Sequence, residues 1–143
     1  HNQPFLLRDF GHIFSRIDHV LKNNSFYPFN TQTTAGSCIT IDYKGDFSTF
    51  SPEFIDHSEF ILGNITKYNS FDEVKSNQPL LTELEDKINN GVNKCAESCE
   101  YFKLCGGGAP SNKYFENNSL ESSNTRFCEL SIKTLADVIM NRV

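Results

Sequence analysis

The chain has 143 residues, with 13 lysines and arginines against 18 aspartates and glutamates, a formal net charge of −5. That length suits one domain, and 38% hydrophobic residues supply a core without disulfide staples. The acidic balance argues against a nucleic-acid partner, because phosphate binding needs clustered positive charge. No apolar run approaches the ~18 residues of a membrane span, and no basic-plus-apolar leader opens the chain. With His1 in place of an initiating methionine, the sequence reads as a piece of a longer protein. Thirteen Phe, five Tyr and no Trp point to a core packed largely with phenylalanine.

Phe5 to Lys22 is predicted to be an amphipathic helix. Leu6, Phe10, Ile13, Phe14, Ile17, Val20 and Leu21 recur at three- and four-residue steps, with Arg8, Asp9, Ser15 and Asp18 on the other face. Asn23-Asn24-Ser25 stops it, and Tyr27-Pro28 prevents it from resuming. Cys38 to Tyr43 alternates β-branched residues, Lys44-Gly45-Asp46 turns, and Phe47 to Phe50 returns, a hairpin that Ser51-Pro52 ends. Phe60 to Ile65 is a short third extended segment. Ser70-Phe71-Asp72-Glu73 is a capping-box pattern. Pro79 opens a further helix through Leu80, Leu81, Leu84 and Ile88, which Gly91 is expected to close. A final helix runs from about Phe127 to Asn141, with Leu130, Leu135, Val138 and Ile139 inward. The fold class is α+β: a small hairpin sheet with flanking helices and a cysteine-bearing loop region.

The five cysteines, at 38, 95, 99, 105 and 128, carry most of the chemical signal. An odd number fits a secreted disulfide framework poorly and points to a reducing, cytoplasmic protein whose cysteines serve a metal. Cys95-x3-Cys99-x5-Cys105-x22-Cys128 offers four thiolates, the complement of a structural zinc ion or of a cubane iron–sulfur cluster. On a helix, Cys95 and Cys99 stand one turn apart with Cβ atoms roughly 5–6 Å from each other. Zinc wants sulfurs roughly 3.8 Å apart, from tetrahedral geometry at ~2.3 Å, and takes them from C-x2-C knuckles; this chain has none. A cubane places each cysteine on a different iron, so looser spacing suits it, and zinc remains the substitute. Gly106-Gly107-Gly108, directly after a ligand, lets backbone N–H groups approach cluster sulfurs. Lys94, Lys103, Lys113 and Arg126 flank the cysteines and can offset cluster charge. With four ligands no iron is left open, which excludes cleavage of a cofactor at this site and leaves a structural or electron-carrying role.

The run from Cys95 through Cys99 and Cys105 to Gly106-Gly107-Gly108-Ala109-Pro110-Ser111-Asn112-Lys113-Tyr114-Phe115-Glu116-Asn117 resembles the C-terminal SPASM extension of radical SAM peptide maturases. It is most similar to the branch that builds cyclophane or related carbon–carbon crosslinks in ribosomal peptides. Ile41 to Glu53 and Leu62-Gly63-Asn64 fit the same family's hairpin and following strand, so the match covers about residues 36 to 140. The resemblance implies a 4Fe-4S cluster on Cys95, Cys99, Cys105 and Cys128, with x3 where the general pattern has x2. For the family's other auxiliary cluster only Cys38 matches. Phe50 and Ala109 occupy two of its ligand positions, so that site is expected to be empty and Cys38 to be a buried strand cysteine.

On this resemblance, residues 1–24 are a connector helix from a radical SAM barrel absent from this chain, and residues 25–143 are the auxiliary-cluster domain. S-adenosylmethionine belongs to the barrel, and the partners are the barrel and a ribosomal precursor peptide, with neither nucleic acid nor membrane. The chain alone is then no catalyst. Ser51, Glu53, Asn112, Lys113 and Glu116 are the polar positions for substrate contacts, with turn-forming or backbone-satisfying roles as the competing explanation. A free-standing peptide-binding module and a four-cysteine zinc domain are the alternatives.

Overall fold

In the computed structural model, which describes residues 7–25 and 30–141, the first amphipathic segment forms helix α1 (Arg8–Asn23). Asn24 ends it in the left-handed conformation (φ 46°). Ile13 and Ile17, one turn apart, are its buried residues, whereas Phe14 and Leu21, expected inward, are exposed. The inward stripe is narrower than the periodicity suggests. Leu6, Tyr27 and Pro28 lie outside the described residues.

The hairpin forms as expected. β1 (Ile39–Ile41) pairs antiparallel with β2 (Asp46–Thr49), with Ile39 opposite Thr49 and Ile41 opposite Phe47. The turn is locked by the Asp42 carboxylate, which accepts N–H bonds from Lys44 and Asp46, and by Gly45 at φ 88°. β3 (Gly63–Asn64) adds to the far edge of β2. The third extended segment is thus shorter than predicted. Phe60 ends one 3₁₀ turn (Ser58–Phe60) and Ile65 opens another (Ile65–Lys67), so only two residues remain to pair.

Ser70 caps α2 (Phe71–Asn77), its hydroxyl accepting from the Glu73 N–H. The Glu73 carboxylate reaches back to the Asn69 N–H, one residue before the usual capping-box donor. Pro79 begins α3 (Pro79–Ser98) in its first turn, but Gly91 does not close it. Gly91 is a buried interior residue, and a Cβ there would lie 2.4 Å from the Leu120 carbonyl oxygen. That glycine permits a close approach of chains, and the helix runs on to place Cys95 in its last turn.

Two short helices follow, α4 (Phe102–Cys105) and α5 (Pro110–Asn117). The final helical run starts with α6 (Arg126–Cys128), widens into a π turn over Glu129–Lys133, and ends with α7 (Thr134–Met140). The wide turn takes up an extra residue and rotates the face behind it. Ile139 and Leu135 pack inward as expected, together with Ile132 and Ala136, whereas Leu130, expected inward, lies in the π turn and is exposed.

Two apolar clusters result. One joins Phe47, Phe50, Phe54, Phe60 and Leu62 of the sheet side to Leu81, Leu84 and Ile88 of α3. The other joins Ile13 and Ile17 of α1 to Ile132, Ala136 and Ile139, with Leu104, Cys105 and Cys128 packed against it. The fold is α+β, helix-rich with one small antiparallel sheet. No helix among the described residues is long and apolar enough to cross a membrane.

Candidate functional site

Cys95 sits in the last turn of α3, Cys99 is its C-cap, Cys105 ends α4 and Cys128 ends α6. All four line a single open cavity of about 460 Å³. The chain brings them there by short, fully bonded steps. The Cys99 N–H bonds the Cys95 carbonyl, the Phe102 N–H bonds the Cys99 carbonyl, and Gly106 (φ 62°) stops α4 by bonding Phe102. Gly107 and Gly108 continue in the left-handed region (φ 98° and 72°), which side chains rarely adopt. That path turns their two N–H groups onto the Cys105 sulfur. From the opposite side, the Asn30 amide donates to the carbonyls of Cys105 (3.3 Å) and Gly108 (2.8 Å) and pins the glycine loop. The Cys95 thiol is buried and donates to the Ser123 carbonyl at 3.0 Å.

The sulfurs influence one another electrostatically. Burial pushes the Cys105 thiol up from its ordinary value, the two glycine N–H groups oppose that, and the charges of Cys99 and Cys95 add to it. Cys128 is pushed up to about 11, first by burial and then by Cys105. Lys113, on α5, is only 4% exposed and lines the same cavity. Burial pulls its ammonium below the usual lysine range, and the adjoining Cys95 sulfur, a hydrogen-bonding neighbour, pulls the other way. The other flanking cations stay in solvent: Lys94 pairs with Glu121 at 3.5 Å, and Lys103 and Arg126 are exposed. Among the described residues no group of three or more His, Cys, Asp or Glu side chains is arranged to hold a metal ion.

Of the polar positions singled out from the sequence, Glu53, Asn112 and Lys113 line the cavity. Ser51 and Glu116 do not. Ser51 is buried with no hydrogen-bond partner for its hydroxyl among the described residues. The Glu116 carboxylate accepts the backbone N–H groups of Arg126 and Phe127 and caps the final helical run. Cys38 is half-buried, precedes β1 and lies off the cavity; it is not the buried strand cysteine expected. Phe50 is wholly buried at φ 75°, a strained conformation for a bulky side chain. Asn30, and Asp9 and His12 of α1, line the cavity without any signal in the sequence, because they arrive from far along the chain.

The chain is 35% identical over 130 residues to an uncharacterized protein of Synechocystis sp.. The matched span takes in 87% of this chain and 30% of that protein. The chain thus spans less than a third of the length of the curated relative it matches. No family model matches it, and no solved structure does.

Proposed function

We propose that the chain is an auxiliary-cluster domain in which Cys95, Cys99, Cys105 and Cys128 hold one 4Fe-4S cluster, working beside a radical SAM barrel that crosslinks a ribosomal precursor peptide in the cytoplasm. The observation that carries this is the meeting of four cysteines from three separate stretches around one cavity. Three features of that cavity suit a cubane. Four cysteines line it, the number of ligands a cubane takes. Two amide N–H groups already address the Cys105 sulfur, the kind of donor that stabilises cluster thiolates. A buried ammonium stands beside Cys95. When bound, the cluster supplies a one-electron carrier or a structural brace. Glu53 and Asn112, at the cavity wall, are the residues offered to the peptide.

The test is anaerobic purification followed by iron and acid-labile sulfide counts, with about four of each per chain expected. Cys105→Ser and Cys128→Ser should abolish the broad visible absorption of the cluster, whereas Cys38→Ser should retain it. Loss of that absorption in Cys38→Ser as complete as in Cys105→Ser overturns the one-cluster assignment. Zinc without sulfide in anaerobically purified native protein overturns the cluster in favour of a zinc domain.

A further inference from the structure

We propose that Lys113 is the built-in counter-charge of the cysteine site, and that its ammonium, set beside Cys95, raises the reduction potential of the bound cluster. This rests on the cluster assignment above and adds to it a residue that tunes the cluster.

Lysine is almost never fully buried without a partner. Lys113 is buried, and among the described residues no carboxylate forms an ion pair with it. It lines the same cavity as all four cysteines, and of these Cys95 acts on its charge most strongly, ahead of Cys105 and Cys128. Neutral thiols compensate a buried cation poorly, whereas an anionic cluster with thiolate ligands compensates it well. The fold makes room for this placement at a cost elsewhere. Gly91 occupies the middle of a twenty-residue helix, where glycine is unfavourable, and a Cβ on it would come within 3.0 Å of the Lys113 ammonium nitrogen. Lys94, Lys103 and Arg126, by contrast, are solvated, so their fields at the site are screened. Lys113 acts from inside, where the low dielectric preserves its effect.

The direction follows from charge. Reduction adds one electron to the cluster from an external one-electron donor, with no bond made or broken. A neighbouring cation stabilises the more negative, reduced form, so removing it lowers the potential.

The experiment is spectroelectrochemical titration of the anaerobically reconstituted chain, wild type against Lys113→Gln and Lys113→Arg, with iron and sulfide counted in each. Lys113→Gln should hold its cluster and show at least a tenfold higher oxidised-to-reduced ratio at the wild-type midpoint, which is ~59 mV for a one-electron couple. Lys113→Arg, which keeps the charge, should restore the wild-type midpoint. If the Gln variant fails to load while the Arg variant loads at that midpoint, the charge is required and the proposal stands. If both load and the Gln variant has an unshifted midpoint, or if neither loads, charge is not the role of Lys113 and the proposal falls while the cluster assignment survives in the wild type. A wild type without iron and sulfide overturns both.

Discussion

Gly91→Ala sets helix propensity against packing, and the structure decides the sign. In an unobstructed helix interior, alanine in place of glycine stabilises by up to ~1 kcal/mol. At position 91 the added methyl would lie 2.4 Å from the Leu120 carbonyl oxygen and 3.1 Å from the Glu121 Cα. Both are backbone atoms, so relief requires moving a segment of main chain, and overpacking of that kind costs ~1–3 kcal/mol. Taking the upper end for a backbone clash, the net is a loss of about 2 kcal/mol. For a chain of this size that lowers Tm by about 6–8 °C. Thermal melts followed by circular dichroism measure it directly. Gly11→Ala, on α1, is the control: a Cβ there meets nothing within 4 Å, so that variant should gain ~0.5–1 kcal/mol. A Gly91→Ala chain melting at or above the wild-type temperature would refute the claim that this glycine exists for close packing.

Two further outcomes concern the second apolar cluster and its cap. The Tyr101 hydroxyl donates to the Asp137 carboxylate at 2.6 Å, and that bond, with burial behind it, pushes the phenol up to about 12. Because the folded-state value lies above the ordinary 10.0, the stabilisation is fully present below pH ~10 and is lost as pH rises toward 12. Asp137→Asn should bring this titration back down, as read from phenolate absorbance with Tyr101→Phe assigning the signal; an unmoved curve would show that the bond does not form in solution. Glu116→Ala removes the acceptor for two N–H groups at the start of α6 and should cost ~1 kcal/mol, about 3–4 °C in Tm. Glu116→Gln, which keeps an acceptor oxygen, should recover most of it, and equal melting of the Ala variant and wild type would remove the capping role.

What could be read before folding followed from local rules, and what could not depended on distant contacts. The hairpin was legible because alternation and a turn glycine act within a dozen residues, and Asp42 and Gly45 do in space what they do in sequence. The start of α3 was equally plain from Pro79. Its end was not, because a glycine that closes a helix and a glycine that admits a neighbouring chain are the same letter; the Leu120 carbonyl decides between them. The π turn leaves no mark on composition, so Leu130, which lies within it, was misplaced, whereas Leu135 and Ile139 beyond it pack inward as their spacing suggests. At the site, spacing nominated the four cysteines, while Asn30, which bonds residues more than seventy positions away, carried no local signal. Lys113 looked like one flanking cation among four until burial separated it from the rest.

The cavity borders the second apolar cluster, with Ile13, Leu104, Cys105, Cys128 and Ile132 in its wall, and Cys95 reaches it from the last turn of α3. Cys95 belongs to α3, whose Leu81, Leu84 and Ile88 pack with the sheet; Cys105 and Cys128 pack with α1 and the final helices. Burial favours the neutral thiols of Cys105 and Cys128, whereas metal ligation requires thiolates. Deprotonation of these two thiols is therefore unfavourable unless something offsets it, and the fold supplies two favourable terms at the cavity: the N–H groups of Gly107 and Gly108 on Cys105 and the Lys113 ammonium by Cys95. A purely structural cavity would be better closed with apolar side chains, since a buried lysine and the thiols of Cys105 and Cys128 carry a desolvation cost. On the proposed function, the group that offsets those costs would also link the end of α3, through Cys95, to the start of the final helical run, through Cys128.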